Sequence, residues 1–362
     1  GVAGPQLEAI DKFLVSAEFS DSTHGQLGCI ACHGGENSLD IGEAHNGMNP
    51  YPSGDINGVC ASCHSGVTDT FETSIHRNIQ GMSNGLMAFT DFESLPDSPE
   101  HEEAFGKNCF ACHASCGECH VSRPKGYSGG LINQHEFFKT PPMEDTCFGC
   151  HGARNAGEYM GTVGFSGDVH HEMGMDCMAC HDIDNFHGAG GEVTANMYEE
   201  NLPSCLDCHE DFIKGAEATS VHTDHVDTVS CQVCHAQANS NCFECHLDYN
   251  DDKTKLIGSS ETKIMFRIGL NPEITEERPY KYVTLRHIPT SEKMLDEIGD
   301  DLLPNYHEIS NWKYSPTHNI QKSTFQNESC DACHGNENIF LQEKDLIDSD
   351  SKDNWRLIPP IP

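Results

Sequence analysis

The sequence predicts a chain of mostly irregular coil with many short α-helices and little β-structure. Three features of its 362 residues carry this prediction. Hydrophobic residues make up only 36% of the chain, which is low for a peptide that must build its own core at this length. The 33 Gly and 17 Pro favour turns and loops between short helices. All 20 Cys occur in pairs spaced C-x-x-C, and a histidine follows every pair directly.

These C-x-x-C-H motifs are numbered 1 to 10 in chain order. They are Cys29/Cys32/His33, Cys60/Cys63/His64, Cys109/Cys112/His113, Cys116/Cys119/His120, Cys147/Cys150/His151, Cys177/Cys180/His181, Cys205/Cys208/His209, Cys231/Cys234/His235, Cys242/Cys245/His246 and Cys330/Cys333/His334. Two thiols three residues apart lie on one face of a helical turn, where both can bond to one edge of a porphyrin. The next residue then directs its imidazole at the iron. The spacing is the attachment signature of c-type haem and predicts ten covalent haems.

Zinc sites, redox dithiols and disulfides also use C-x-x-C pairs. None of them needs a histidine directly after the second cysteine, and no cysteine is left over for a structural disulfide. We therefore predict that each motif histidine is the proximal ligand of a haem iron. The haems would provide the apolar surface that the peptide lacks. The expected fold is a multihaem cytochrome c wrapped around a chain of stacked haems, and the apoprotein should not fold.

The motifs divide the chain into four segments, which we expect the haems to link into one unit. Residues 1–28 form a lead segment, 29–246 contain motifs 1 to 9, 247–329 contain no Cys, and 330–362 contain motif 10 and a tail.

The Cys-free segment is expected to contain a small β element. The runs at 262–268 and 280–285 are rich in β-branched and aromatic residues, which is typical of strands. A helical stretch is expected around 291–298. The chain ends in LIPPIP, which is expected to be extended because it cannot be helical. A frayed terminus is expected there, and the alternative is a strap that lies on a neighbour.

The formal net charge is −36 before the haem propionates are counted. This charge disfavours nucleic acid and anionic membranes as partners and favours a cationic redox partner, a mineral surface or divalent cations. The alternative is that acidity only keeps a haem-rich chain soluble. The acidic runs at 248–252 and 345–353 could hold Ca²⁺ as an accessory ion, although a solvated acidic face is the simpler interpretation.

No apolar run of 18 residues is present, so the sequence predicts no transmembrane segment. Haem attachment of this kind takes place outside the cytoplasmic membrane. We therefore expect a secreted protein, extracellular or at the cell surface, from which a signal peptide has been removed.

The supply of axial ligands favours electron transfer over catalysis. Ten haems with two histidine ligands each need ten distal histidines, and 13 of the 23 histidines lie outside the motifs. An iron with two histidines has no open position for a substrate. The alternative is a multihaem reductase in which one haem keeps an open site. All ten attachments end in His and no C-x-x-C-K occurs, which disfavours that alternative.

Several stretches resemble a broad family of bacterial and archaeal multihaem cytochromes. They include CHASCGECHVSRP at 112–124, HEFFKTPPM at 135–143, CFGCHGAR at 147–154, VSCQVCH at 229–235 and RHIP at 286–289. The resemblance covers most of the chain from His24 to His334. Members of this family are surface or extracellular electron carriers, and the chain is similar to the members that polymerise into filaments, the cytochrome nanowires.

The resemblance also implies which histidines are the distal ligands. Those in stretches that match the family pattern are His24, His45, His76, His135, His170, His187, His222, His225, His287 and His318. The other three, His101, His171 and His307, are expected to be structural or surface histidines.

The ligand supply and the ten His-terminated attachments predict an electron-transfer protein and no enzyme. The expected partners are other redox proteins or an extracellular acceptor such as a mineral, an electrode or another cell. By this resemblance the protein is also expected to self-associate into a conductive homopolymer. His24 or His45 is then a candidate for a ligand donated to a neighbouring copy. A monomeric soluble electron shuttle is the alternative.

Overall fold

A computed structural model describes residues 14–108, 114–125, 128–162, 164, 166–191, 202–237, 239–240, 247–249, 256–258, 264–265, 267–288 and 290–362. Motifs 3 and 9, with Cys109, Cys112 and His113 and with Cys242, Cys245 and His246, lie outside these residues. The described chain is mostly coil and turns with many short helices and little β-structure, which confirms the predicted fold class.

The longest described helices have about three turns or fewer. The α-helices, α1 to α15, are Ala17–Asp21, Cys29–His33, Ile41–Ala44, Ala61–Phe71, Ile75–Asn78, Gln80–Met87, Pro99–Asn108, Cys116–His120, Cys147–His151, Gly157–Met160, Val169–Glu172, Asp184–His187, Leu206–Ile213, Ser220–His225 and Cys231–His235. The 3₁₀ helices are Gly25–Leu27, Pro52–Gly54, Leu95–Asp97, Cys177–Ala179, Tyr306–Glu308, Phe325–Asn327, Cys330–Ala332, Glu337–Ile339, Glu343–Asp345 and Lys352–Leu357, and a π-helix spans Gly152–Ala156.

Each described motif folds as a single helical turn. Motifs 1, 4, 5 and 8 are the helices α2, α8, α9 and α15, which begin at the first cysteine and end at the histidine. In motifs 2, 6, 7 and 10 the backbone N–H of the histidine donates to the carbonyl of the first cysteine at 2.7–2.9 Å. One turn brings both thiols and the imidazole to the same side of the backbone, which is the arrangement that haem attachment needs.

The Cys-free segment contains the predicted β element. The strands, β1 to β7, are Asn239–Ser240, Leu247–Tyr249, Leu256–Gly258, Ile264–Met265, Ile268–Leu270, Tyr282–His287 and Trp312–Tyr314. The last three form an antiparallel sheet in the order β5-β6-β7, with Gly269 opposite Val283 and Arg286 opposite Lys313. The two other strand pairs, β1 with β4 and β2 with β3, are also antiparallel.

Two predictions for the C-terminal part of the chain are wrong. Residues 292–298 form consecutive turns rather than a helix, because their N–H groups bond three residues back while Leu295 packs into a cluster with Ala104 and Tyr306. The tail does not fray. Leu357 is wholly buried against Val283, Leu285 and Trp312, so the last helix covers one face of the sheet.

A second apolar cluster joins the sheet to motifs 8 and 10. Val233, Ala236 and Ile268 pack with Ile339 and Phe340. Within the described residues, no helix has the length and apolar character needed to cross a membrane.

Candidate functional site

Seven motif histidines lie opposite a histidine from outside the motifs. The pairs are His33 with His135, His64 with His24, His120 with His187, His151 with His76, His209 with His170, His235 with His222, and His334 with His225. Their ring centroids are 6.0–6.3 Å apart. A metal ion bound at about 2 Å from each of two facing ring nitrogens would separate the centroids by roughly 6 Å. The spacing therefore fits one haem iron between each pair.

Backbone carbonyls orient many of these rings. A carbonyl oxygen can only accept, so the imidazole Nδ1–H is the donor, and Nε2 is left to coordinate a metal ion. The histidines with this hydrogen bond are His33 to Asn49 at 2.8 Å, His76 to Asn185 at 3.2 Å, His120 to Phe138 at 2.6 Å, His222 to Phe212 at 3.0 Å, His225 to Val221 at 2.7 Å and His235 to Gln321 at 3.0 Å.

Burial keeps several of the distal histidines neutral, which is the form that binds iron. Burial lowers the pKa of His76, His135 and His187, and nearby histidines lower it further. The pKa of His24 is lowered in the same way, first by burial and then by His64.

A strained turn presents His135 to motif 1. Asn133, Gln134 and His135 have φ angles of 43°, 58° and 80°, so three successive residues other than glycine adopt the left-handed region. Such conformations cost roughly 1–3 kcal/mol each and are concentrated at functional sites. The carbonyl of Gln134 accepts the N–H of Ser16 at 3.0 Å, and the ring of Phe19 lies 4.4 Å from that of His135. These contacts hold the turn in place.

Thiols of successive motifs lie in direct contact at three places, where the cysteines mark the positions of the thioether bonds. Hydrogen bonds join Cys60 to Cys116, Cys147 to Cys177 and Cys205 to Cys231. Each contact brings the two sulfur atoms of the pair to hydrogen-bond distance of each other. Motifs 2 and 4, 5 and 6, and 7 and 8 are therefore immediate neighbours.

Longer electrostatic contacts link these pairs to one another. Four cysteines have a pKa that is raised first by burial and then by a cysteine of the next motif, which shows that the two motifs are close. These neighbours are Cys32 and Cys60, Cys119 and Cys147, Cys180 and Cys208, and Cys234 and Cys333. The described motifs thus follow one another in space as 1, 2, 4, 5, 6, 7, 8 and 10. This unbroken sequence of neighbours is called the motif series below.

Cys63 of motif 2 is placed differently from Cys60 in the same motif. Cys60 is partly buried on Cys116, whereas Cys63 is exposed and lies close enough to Cys32 to contribute to its raised pKa. The N–H of Cys63 donates to the carbonyl of Cys60 at 3.2 Å, so the thiol belongs to the same turn. A porphyrin bonded to Cys63 would cover its sulfur atom, so an exposed sulfur atom is compatible with haem attachment. The attachment role of Cys63 stays a prediction.

His45 and His181 are built like ligands but lie opposite no histidine in the described part of the chain. His45 is exposed, and its Nδ1–H donates to the carbonyl of Ile41 at 2.7 Å. His225 makes the same bond to the residue four positions before it and does face a motif histidine. His181, in motif 6, is hydrogen-bonded to the side chain of Asn185, and the ring of Phe186 lies 6.2 Å away. An open cleft of about 390 Å³ lies next to it.

His287 and His318 are the two other predicted distal ligands. The Nε2 atom of His287 lies 2.9 Å from a carboxylate oxygen of Asp350, and its ring packs on Trp312. The backbone N–H of His318 donates to buried Glu158. Because motifs 3 and 9 lie outside the described residues, the ligand roles of these two histidines stay predictions.

Protein contacts occupy the three histidines that were not predicted to bind iron. Both ring nitrogens of buried His101 are hydrogen-bonded, to Ser98 and to the carbonyl of Leu302. His171 packs edge-on against Tyr159, and His307 lies 3.4 Å from Glu292.

Two buried carboxylates near the axial ligands were not predicted from the sequence. Asp168 binds the ring of His170, and Glu158 binds Arg286 at 2.8 Å with both side chains buried. The only signal for the first was an aspartate two residues before a distal histidine.

Three carboxylates of the acidic run at 345–353 contact other side chains of the chain. Asp345 holds Arg267, Asp350 holds His287, and Asp353 holds Arg356. In the part of the chain that the structure describes, no group of three or more acidic, histidine or cysteine side chains is arranged to hold a metal ion.

A family model described as cytochrome c554 and c-prime matches residues 187–236. The matched stretch contains His187, motifs 7 and 8, and the histidines His222 and His225 that lie opposite His235 of motif 8 and His334 of motif 10. The chain is a c-type cytochrome. Such a cytochrome binds haem c covalently and transfers electrons through it. No curated protein and no solved structure gives a match.

The seven facing histidine pairs fall into two geometric classes. The rings are close to parallel, at 25–36°, in His24/His64, His120/His187 and His222/His235, and they cross at 58–66° in the four other pairs. The angle sets how far the iron d orbitals split in the low-spin ferric state. We therefore expect electron paramagnetic resonance at low temperature to resolve two types of low-spin signal, rhombic from the near-parallel pairs and highly anisotropic from the crossed pairs. A single type of signal would contradict the geometry.

Proposed function

We propose that this cytochrome carries electrons outside the cell through ten covalent haems, each held by two histidines. We further propose that it assembles into a homopolymer, in which the haem chain continues from one copy to the next. The terminal acceptor would be a mineral, an electrode, another cell or another redox protein. Support for the conduit comes from the motif series, because neighbouring thiols imply neighbouring porphyrins and hence short steps for electrons.

The observation that supports the homopolymer is that His45 and His181 each lie opposite no histidine in the described part of the chain. We propose that His45 of one copy is the distal ligand of motif 6 in the next copy. Of the predicted distal ligands, seven face a motif histidine within the chain, His287 and His318 are left for motifs 3 and 9, and His45 is left for motif 6. His24, the other candidate donor, faces His64 of its own chain.

The surroundings of both histidines suit such a contact. His45 follows helix α3, where Leu39 and Ile41 are 108% and 75% exposed. Asp40 caps this helix by accepting the N–H groups of Gly42 and Glu43, which keeps the carbonyl of Ile41 in place to orient His45. On the other side, Ile183 beside His181 is 54% exposed. Burying these apolar side chains would add roughly 25 cal/mol per Å² to the contact.

The second candidate function is that of a reductase with an open haem at motif 6. The observation that favours it is that His181 lies opposite no histidine in the described part of the chain. In that case motif 6 would stay five-coordinate in a monomer, and the open position on its iron would admit a small substrate. The motif series would then deliver electrons to this haem from both directions.

Replacing His45 with alanine distinguishes these functions. We expect the wild-type protein to sediment as a polymer with low-spin haem only, and His45→Ala to remain monomeric with one haem high-spin. Added imidazole should restore the low-spin state of that variant but not its assembly. His307→Ala, which removes a histidine that contacts Glu292 and Tyr306, should assemble like the wild type.

The outcomes that oppose the proposal are equally specific. If His45→Ala assembles and stays entirely low-spin, His45 is not the missing ligand. If the wild type is monomeric with one high-spin haem, the open-site reductase replaces the conduit. The cytochrome would then be screened with small nitrogen and sulfur substrates.

A further inference from the structure

His170 differs from His76, His222 and His225 in the group that binds its second ring nitrogen. The Nδ1 atom of His170 lies 2.8 Å from a carboxylate oxygen of Asp168, whereas the corresponding atoms of His76, His222 and His225 donate to backbone carbonyls. His170 is also the histidine that faces His209 of motif 7. Of the axial histidines whose Nδ1 partner is given above, it alone is bound to a carboxylate.

Asp168 is held firmly in this position. Its side chain is 3% exposed, one oxygen also accepts the N–H of His170, and the other accepts the N–H of Ile320, both at 2.8 Å. Its own N–H donates to the carbonyl of Tyr159 at 2.9 Å. The negative charge of Asp168 acts on two neighbouring side chains. Burial and then this charge raise the pKa of Tyr159, and the charge contributes to the raised pKa of Cys180 in motif 6.

We propose that Asp168 is a positioning residue that sets the potential of the haem at motif 7, making it harder to reduce than the haems whose distal histidines donate to backbone carbonyls. The proposal rests on the proposed function, in that His170 and His209 must both bind the iron of motif 7. A carboxylate pulls the Nδ1 proton of His170 more strongly than an amide carbonyl does, which makes the imidazole a more basic ligand. A more basic ligand and a nearby buried negative charge both stabilise the ferric iron.

The position of motif 7 gives this effect a consequence for the whole chain. It lies between motifs 6 and 8 in the motif series, with its thiol Cys205 on Cys231 of motif 8 and Cys208 beside Cys180 of motif 6. Electrons would therefore pass through the haem of motif 7 without accumulating on it. In a partly reduced protein, one group of electrons would occupy the haems of motifs 1 to 6 and another would occupy the haems from motif 8 onward.

Spectroelectrochemical titration of the complete cytochrome tests the proposal through Asp168→Asn. Asparagine keeps the cap of helix α11 and removes the charge. We expect one haem to titrate at a higher potential than in the wild type, with the same haem content and a fully retained low-spin spectrum. Asp97→Asn is the matched control, because Asp97 is an exposed cap that binds Ser94, and it should leave every potential unchanged.

Three results would overturn the proposal. One is an unshifted titration of Asp168→Asn with all haems bound and low-spin, which leaves the proposed function intact. Another is a new high-spin haem in this variant, which means that Asp168 only holds the ligand in place. If Asp168→Asn does not accumulate, the variant Thr219→Asp tests the same effect at another haem. It places a carboxylate beside His222, whose Nδ1 lies 3.4 Å from the Thr219 hydroxyl. The third contrary result is that no haem of Thr219→Asp titrates at a lower potential than in the wild type.

Discussion

Replacing His76 with alanine is expected to convert one low-spin haem of the cytochrome into a high-spin haem. The His76 ring lies 6.3 Å from that of His151 in motif 5, and its Nδ1–H donates to the carbonyl of Asn185. His76 is the histidine that lies opposite His151, so alanine would leave the iron of motif 5 one ligand short. The His76 side chain is half-buried, so alanine opens a space beside that iron. We expect a high-spin signal from one haem and the binding of one carbon monoxide per chain.

The matched control for this variant is His101→Ala. His101 is as deeply buried as a ligand would be, but Ser98 and the carbonyl of Leu302 occupy both of its ring nitrogens. Its loss should lower stability through the unpaired polar partners and the cavity, without any change in spin state. A high-spin haem in His101→Ala, or none in His76→Ala, would contradict the axial assignment.

Replacing Arg286 with methionine is expected to lower the free energy of unfolding by about 3–5 kcal/mol, the usual cost of leaving one member of a buried ion pair alone. The Arg286 and Glu158 side chains are 2% and 0% exposed, and their atoms Nη2 and Oε1 are 2.8 Å apart. The pair joins strand β6 to helix α10, and Glu158 also accepts the N–H of His318. Denaturant unfolding followed by circular dichroism and by the haem absorption measures the loss.

Two further variants show whether the loss comes from the buried charge. Arg356→Met breaks the pair with Asp353, in which Arg356 is 49% exposed, and should cost less than about 1 kcal/mol. Adding Glu158→Gln to Arg286→Met should recover part of the stability, since the buried group then carries no charge. Equal losses for Arg286→Met and Arg356→Met would mean that burial of the pair has no energetic role.

The local part of the haem sites could be predicted from the sequence, because attachment depends on residues within one helical turn. The spacing of Cys147, Cys150 and His151 requires only that turn, and the structure forms it in every motif that it describes. Strand β6 at 282–287 overlaps the predicted run at 280–285, because β-branched and aromatic residues fit a half-buried sheet, whereas only Ile268 of strand β5 lies in the predicted run at 262–268.

The pairing of ligands and motifs could not be predicted, because it depends on contacts between distant segments. His135 lies opposite His33, and His76 lies opposite His151, and nothing in the spacing of these residues indicates the partner. The same reason explains the missed carboxylate. Asp168 meets His170 through a local cap, but its burial comes from the loop that contains Ile320. The tail at Leu357 was also misjudged, because only the folded sheet provides its apolar surface.

Covalent haem at every C-x-x-C-H motif is the assumption on which all of these proposals depend. Mass spectrometry of the intact, denatured protein, with alkylation of any reactive thiol, tests that assumption without reference to the fold. We predict the mass of the polypeptide plus ten haems and no alkylated cysteine. A smaller number of haems with alkylated cysteines, or thiols that are released when zinc is chelated, would contradict it.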